Sequence, residues 1–105
     1  MSKDKLQKNS LMDLVDYQEG TIVSKTLLEK DNGTVTLFAF GEGESISEHT
    51  ASHDAMAQVL EGTVEFIISG EKYKLNTGEM IIMPGGEPHS LQAVSRSKML
   101  LTMID

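Results

Sequence analysis

From Gly20 onward, short apolar runs are separated by turn signals at Asn32-Gly33, Gly41 and Gly43, Gly62, Ser69-Gly70, Thr77-Gly78 and Pro84-Gly85-Gly86. A turn roughly every 8–12 residues is the spacing of short strands in a β-sandwich or barrel, and no interval is long enough for a good helix. Within the intervals the period is two. Val35, Leu37 and Ala39 share one face and Thr36, Phe38 and Phe40 the other, both largely apolar, which predicts a strand buried on both sides in the middle of a two-layer structure. Val64 and Phe66 alternate with Glu65 ahead of Ile67-Ile68, and Tyr73 and Leu75 alternate with Lys72 and Lys74. Met80–Met83 is continuously apolar, the pattern of a strand covered on both faces. The run Met99–Ile104 reads as a last strand, with a helix as the competing reading because Met and Leu favour helices. Asp31-Asn32-Gly33 between two runs predicts a hairpin. The pattern predicts about eight to ten strands, with no glycine pattern of a nucleotide-binding loop and no internal repeat.

Residues 1–19 differ. They are polar as far as Ser10; Leu11, Met12, Leu14, Val15 and Tyr17 then crowd together, with Ser10 and Asp13 at the spacing of a helix cap. This predicts a frayed tail and one helical turn. The apolar cluster is too large to leave in water and too short to form a core, so it is expected to cover a sheet edge or a partner barrel. The expected organisation is thus an N-terminal arm, 1–19, and one barrel domain, 20–105, a size at which a single core is the rule.

A formal charge of -7 disfavours nucleic acid and anionic membranes as partners. The absence of Cys excludes disulfides, thiolate catalysis and Cys-ligated metals, so any metal would need His, carboxylate or amide ligands. The chain shows neither a secretory signal nor a membrane span, which makes a cytoplasmic protein the expectation. No His stands with a Ser and an Asp in the pattern of a nucleophilic triad. The three His are His49, His53 and His89, each in or beside a loop that enters a strand. Imidazole is the commonest metal-binding side chain, and two His from one loop with one from a distant strand could close three positions of a site. A surface His in an acidic loop is the plain alternative for any one of them.

The residues around these His resemble the two sequence motifs of the cupin superfamily. Gly43, His49 and Gly62 fall at the spacings of the first motif, while Ala51 and Ala55 stand where that motif has its second His and its Glu. Gly78, Pro84, Gly86 and His89 match every spacing of the second motif, whose closing Asn is here Ala93. The resemblance covers most of the chain, from about Thr34 to Leu101. It implies an all-β double-stranded β-helix, the cupin-type jelly roll, and a homodimer, as is common among small cupins. It also implies a divalent transition metal inside the barrel, with Zn, Ni, Fe or Mn better suited to imidazole than Mg.

Only His49 and His89 carry over to the metal-binding role. His53 lies two residues past the expected second His and would have to bend back across Thr50-Ala51-Ser52 to act as a third ligand. Gln58 could add an amide oxygen, yet strict alternation from Ala55 turns Ala57 and Val59 inward and Gln58 away. Ala55 and Ala57 line the inward face with methyl groups, which suits a small apolar ligand, and Met83, just before the Pro84 turn, is the best placed Met for a pocket wall. Two functions therefore stay open. One is a metal-dependent enzyme of dioxygenase, isomerase or decarboxylase type acting on a small organic substrate. The other is a non-catalytic small-molecule-binding or sensing module with a degenerate metal site.

Overall fold

The computed structural model describes residues 7–105. After a single 3-10 turn at Leu11–Asp13, the described residues form nine strands and no α-helix. These are β1 (Ile22–Lys30), β2 (Gly33–Phe40), β3 (Ser45–His49), β4 (Asp54–Glu61), β5 (Thr63–Ile68), β6 (Glu71–Asn76), β7 (Met80–Met83), β8 (His89–Ala93) and β9 (Ser97–Ile104). One antiparallel sheet has the order β1-β2-β9-β4-β7 and the second the order β3-β8-β5-β6. Strands distant in sequence are neighbours in space, as where β9 lies between β2 and β4, and the result is the jelly roll. Among the described residues, no helix is long and apolar enough to cross a membrane.

The core forms where the alternating inward residues of the two sheets meet. Phe40, Ala57, Val59 and Met99 of the first sheet pack in one buried cluster with Val64, Phe66, Leu75 and Ala93 of the second. The closing run is a strand despite its helix-favouring residues, because β9 is hydrogen-bonded on both sides, to β2 and to β4. That tertiary pairing outweighs an intrinsic preference of a few tenths of a kcal/mol per residue.

Burial of β2 on both sides has two different causes. Phe38 and Phe40 turn inward, their rings stacked at 5.7 Å. Leu37 and Ala39 turn outward and are fully buried, together with Val15 of the arm and with Leu14, Tyr17, Val23, Leu27, Leu60 and Leu100 around them. The arm therefore lies over the outer face of its own five-stranded sheet, not along a sheet edge. The physical reason is that β2 sits inside the sheet and offers an apolar outer face, where each side chain removed from water contributes about 1.5–3 kcal/mol. The arm is also pinned by polar contacts. Tyr17 Oη donates to the Glu61 carboxylate, the Arg96 guanidinium lies 4.6 Å from the Tyr17 ring centre and the Lys98 ammonium 5.1 Å from it, and Lys98 Nζ donates to the Met12 carbonyl. At the start of the turn the Asp13 amide donates to the Ser10 carbonyl, while the Ser10 hydroxyl caps nothing.

One local expectation is corrected. Met80–Met83 is not covered on both faces: β7 is a sheet edge, and Met80 and Ile82 are exposed. The hairpin expected at Asp31-Asn32-Gly33 is present: it joins β1 to β2 and turns on Asp31-Asn32, since Lys30 is already paired with Gly33. Gly33 serves a different need, because a Cβ there would stand 2.5 Å from the Met103 carbonyl oxygen of the neighbouring β9. It permits the close approach of two backbones.

Candidate functional site

His49 of the first motif and His89 of the second come together on adjacent strands. β3 pairs with β8 so that Ile46 opposes Leu91 and, past a bulge, His49 opposes His89. A regular ladder would have placed Glu48 against His89. The extra residue in β3 re-aims the strand, as bulges beside functional sites do. The two imidazoles meet edge to face with ring centroids 4.2 Å apart, and on the other side of β8 the partner of His89 is Ile68 of β5.

Both rings are oriented in the same way. His49 Nδ1 lies 3.0 Å from the Ser47 carbonyl oxygen and His89 Nδ1 3.1 Å from the Glu87 carbonyl oxygen. A carbonyl oxygen can only accept, so Nδ1 carries the hydrogen in each ring and, in the neutral imidazole, Nε2 carries the lone pair. His89 is half-buried and His49 exposed, so the pair forms the mouth of a cavity rather than its floor. That cavity, about 160 Å³, is lined by His49 and His89 together with Ile46, Ala51, Ala55, Met83 and Leu91, and by Phe38, Met99, Leu101 and Met103. Apart from the two imidazoles the wall is apolar. A larger surface groove of about 410 Å³, bounded by Tyr73, Ile82 and Pro84, contains no His.

Of the residues singled out in the sequence, the cavity brings together His49, His89, Ala51, Ala55 and Met83. It does not include His53, Ala57 or Gln58. His53 is half-buried beside Ser52 Oγ, 3.2 Å from its own Nδ1. It does not bend back because its loop is held. The Gly86 amide donates to the Ala51 carbonyl, the Gly85 amide donates to Asp54 Oδ1 at 2.8 Å, and a Cβ on Gly85 would stand 2.4 Å from the Ser52 carbonyl oxygen. Ala57 is fully buried and packs in the core. Gln58, between Leu100 of β9 and Met80 of β7, takes the outer face, as alternation requires. Residue pattern alone missed Phe38, Ile46, Leu91, Met99, Leu101 and Met103 as cavity wall. Each is an alternate, inward position of its strand, but which strands face the imidazoles is decided by sheet order.

The donor set does not fit the expected divalent ion. Among the described residues, no three His, Cys, Asp or Glu stand close enough to hold a metal together. The two imidazoles are accompanied by no carboxylate in the cavity wall.

Two antiparallel sheets closed around an apolar cavity, with a pair of oriented imidazoles at its mouth, define a jelly-roll barrel with a built internal pocket. The chain belongs to the cupin family: residues 36–105 match the family model described as Cupin domain. A conserved protein of unknown function from Streptococcus pyogenes superposes with a TM-score of 0.90 at 32% identity, covering 94% of this chain and 87% of that one. A cupin 2 conserved barrel domain protein from Leptotrichia buccalis superposes with a TM-score of 0.86 at 37% identity, covering 90% of this chain and 46% of that one. Quercetin 2,3-dioxygenase of Bacillus subtilis is 28% identical over 91 residues, covering 85% of this chain, and the chain spans 27% of the length of that curated relative.

Proposed function

We propose that this cupin is a small-molecule-binding barrel in which His49 and His89 anchor the polar end of a compact, largely apolar ligand. The carrying observation is the pair of Nε2 lone pairs, oriented by the Ser47 and Glu87 carbonyls, at the mouth of a cavity otherwise walled by methyl groups, thioethers and a phenyl ring. A cavity near 150 Å³ holds a molecule about the size of benzene, and a hydroxyl on such a molecule would donate to Nε2. Turnover at a metal usually calls for three protein ligands and an open position. With two imidazoles on hand, the binding reading is preferred to the dioxygenase reading that the Bacillus relative suggests. Phenol is a suitable probe. Titration of isotope-labelled protein should shift the imidazole resonances of His49 and His89 and the Met83 methyl saturably, and filling the cavity by Ala55→Leu should abolish the shifts. Phenol shifts that survive in the Ala55→Leu protein would overturn this reading.

A second proposal concerns assembly, as a homodimer. Successive pairings carry one apolar row across the outer face of the whole five-stranded sheet, from Leu28 through Val35, Thr102 and Met56 to Ile82. The row bears no charge, and its ends are exposed, Leu28 at 65% and Ile82 at 61%. On a chain of net charge -7, an uncharged apolar strip is where two copies can meet without repulsion between like charges. Ile82→Glu should shift a sedimentation profile from dimer to monomer. A parent protein that sediments as a monomer at its highest soluble concentration would dispose of the proposal.

A further inference from the structure

β6 and β7 are edge strands, one of each sheet, and a groove of about 410 Å³ runs between them. Register fixes what lines it. Tyr73 opposes the buried Phe66, Glu71 opposes Ile68, whose other partner is His89, and Ile81 opposes the buried Ala57. Opposed residues share a face of a sheet, so Ile68, Glu71, Tyr73 and Ile81 all belong to the inner faces of the barrel. Leu75, two residues past Tyr73, is buried, whereas Tyr73 remains 41% exposed on its edge strand. Pro84 and Glu87 of the loop after β7 complete this part of the wall.

Two carboxylates stand in this otherwise largely apolar wall, and each is held by a hydroxyl. Tyr73 Oη donates to Glu71 at 2.9 Å, and Ser69 Oγ donates to Glu87. A carboxylate has about four acceptor positions, so one such bond orients it and leaves it free to accept others. No Lys, Arg or His lines the groove; Lys72 and Lys74 of β6 take the opposite face, against Ile67 and Glu65. The groove thus presents two negative groups without a counter-charge beside a tyrosine ring and the hydrocarbon surface of Ile68, Ile81 and Pro84. On a chain of net charge -7 it attracts cations. An ammonium group donates to carboxylates and is drawn to the face of an aromatic ring, and an attached hydrocarbon body would cover the isoleucines, which a bare metal ion would not. We propose that this groove binds a small organic ammonium ion with an apolar body, its charge toward Glu71 and Glu87 and its body on Ile68, Ile81 and the Tyr73 ring. The site is separate from the cavity of His49 and His89 and does not depend on what that cavity holds.

The test titrates the full chain with phenylethylammonium, followed by the Ile68 and Ile81 methyls and the Tyr73 ring in isotope-labelled protein. Those resonances should shift saturably. Phenylpropionate, which carries the same ring and the opposite charge, should leave them in place. The double variant Glu71→Gln, Glu87→Gln keeps an acceptor for each hydroxyl and should fold as the parent does, but bind phenylethylammonium at least about fivefold more weakly, the scale of one solvent-screened ion pair. Ala55→Leu, which fills the imidazole cavity, should bind it as the parent does. Phenylpropionate binding as tightly as the ammonium ion, or an affinity unchanged in the Gln variant, would overturn the proposal. Loss of binding in Ala55→Leu would put the ammonium ion in the imidazole cavity and overturn the groove site equally.

Discussion

His49 stands directly opposite His89 because three steps along β3, from Ile46 to His49, match two steps along β8, from Leu91 to His89. The pair therefore depends on one bulge residue. Moving the imidazole back by one position in the double variant Glu48→His, His49→Ser should break the pair, because residue 48 lies within the bulge and has no partner on β8. The expected outcome is loss of the His–His contact in NMR spectra and loss of phenol binding, with an unchanged far-ultraviolet spectrum. An intact contact would mean that β3 runs as a regular ladder.

Ala51 and Ala55 both line the cavity, at the two places where the first cupin motif has its second His and its Glu. Ala51→His with Ala55→Glu adds an imidazole and a carboxylate to the existing pair. Without metal the new carboxylate is confined against Met83 and Met103, and the protein should lose roughly 1–3 kcal/mol of stability, the scale of an unsatisfied polar group in a core. Zinc or manganese should restore the loss by binding the folded state. Thermal unfolding with and without metal is the measurement; a variant as stable as the parent and indifferent to metal would place neither residue in the cavity.

Val15 is buried over Leu37 and Ala39. Val15→Ala should cost about 1–3 kcal/mol, through lost burial and the void left behind. Deleting residues 1–19 should lower stability further by uncovering the same two residues. Because the arm lies on its own barrel, the loss in melting temperature should be independent of protein concentration. A loss that appears only at low concentration would show that the arm seals an interface between copies.

Burial, and next its hydrogen bond to Glu61, push the Tyr17 phenol upward from its ordinary value of 10.0, with Arg96 opposing in part. A group raised in the folded state supports folding fully below its unfolded value and loses that support as pH rises through the folded one. Stability should therefore be insensitive to Tyr17 ionisation near neutrality and decline above pH 10.0. Tyr17→Phe should flatten that alkaline decline in denaturant titrations. Tyr73, raised by its hydrogen bond to Glu71 at the surface, is unchanged in both proteins and cancels in the comparison. Equal alkaline slopes would remove Tyr17 from the account.

Much of the barrel is legible in the sequence, for a local reason. Alternation in Val64–Phe66 and Tyr73–Leu75, and the turn residues at Gly62, Gly70, Gly78 and Gly86, act over a few neighbouring residues, and all four of these glycines adopt a positive φ. The spacing that brings His49 and His89 under suspicion is equally local. So is the alternation that turns Gln58 away from Ala55.

Other features depend on partners that no local pattern names. Whether Met80 and Ile82 are covered depends on β7 being an edge, a matter of sheet order. Nothing in Thr50–Ser52 reveals that Gly85 and Gly86, more than thirty residues away, hold the His53 loop through their amides, to Asp54 Oδ1 and the Ala51 carbonyl. Met103 entered the cavity wall because β9 pairs with β4, and Glu48 yielded its place to His49 because of an unpaired residue in one ladder. Side-chain chemistry and the period of two are properties of the chain taken residue by residue. Register, edges and close backbone approach arise only when distant segments meet, and those meetings decided which donors share the cavity.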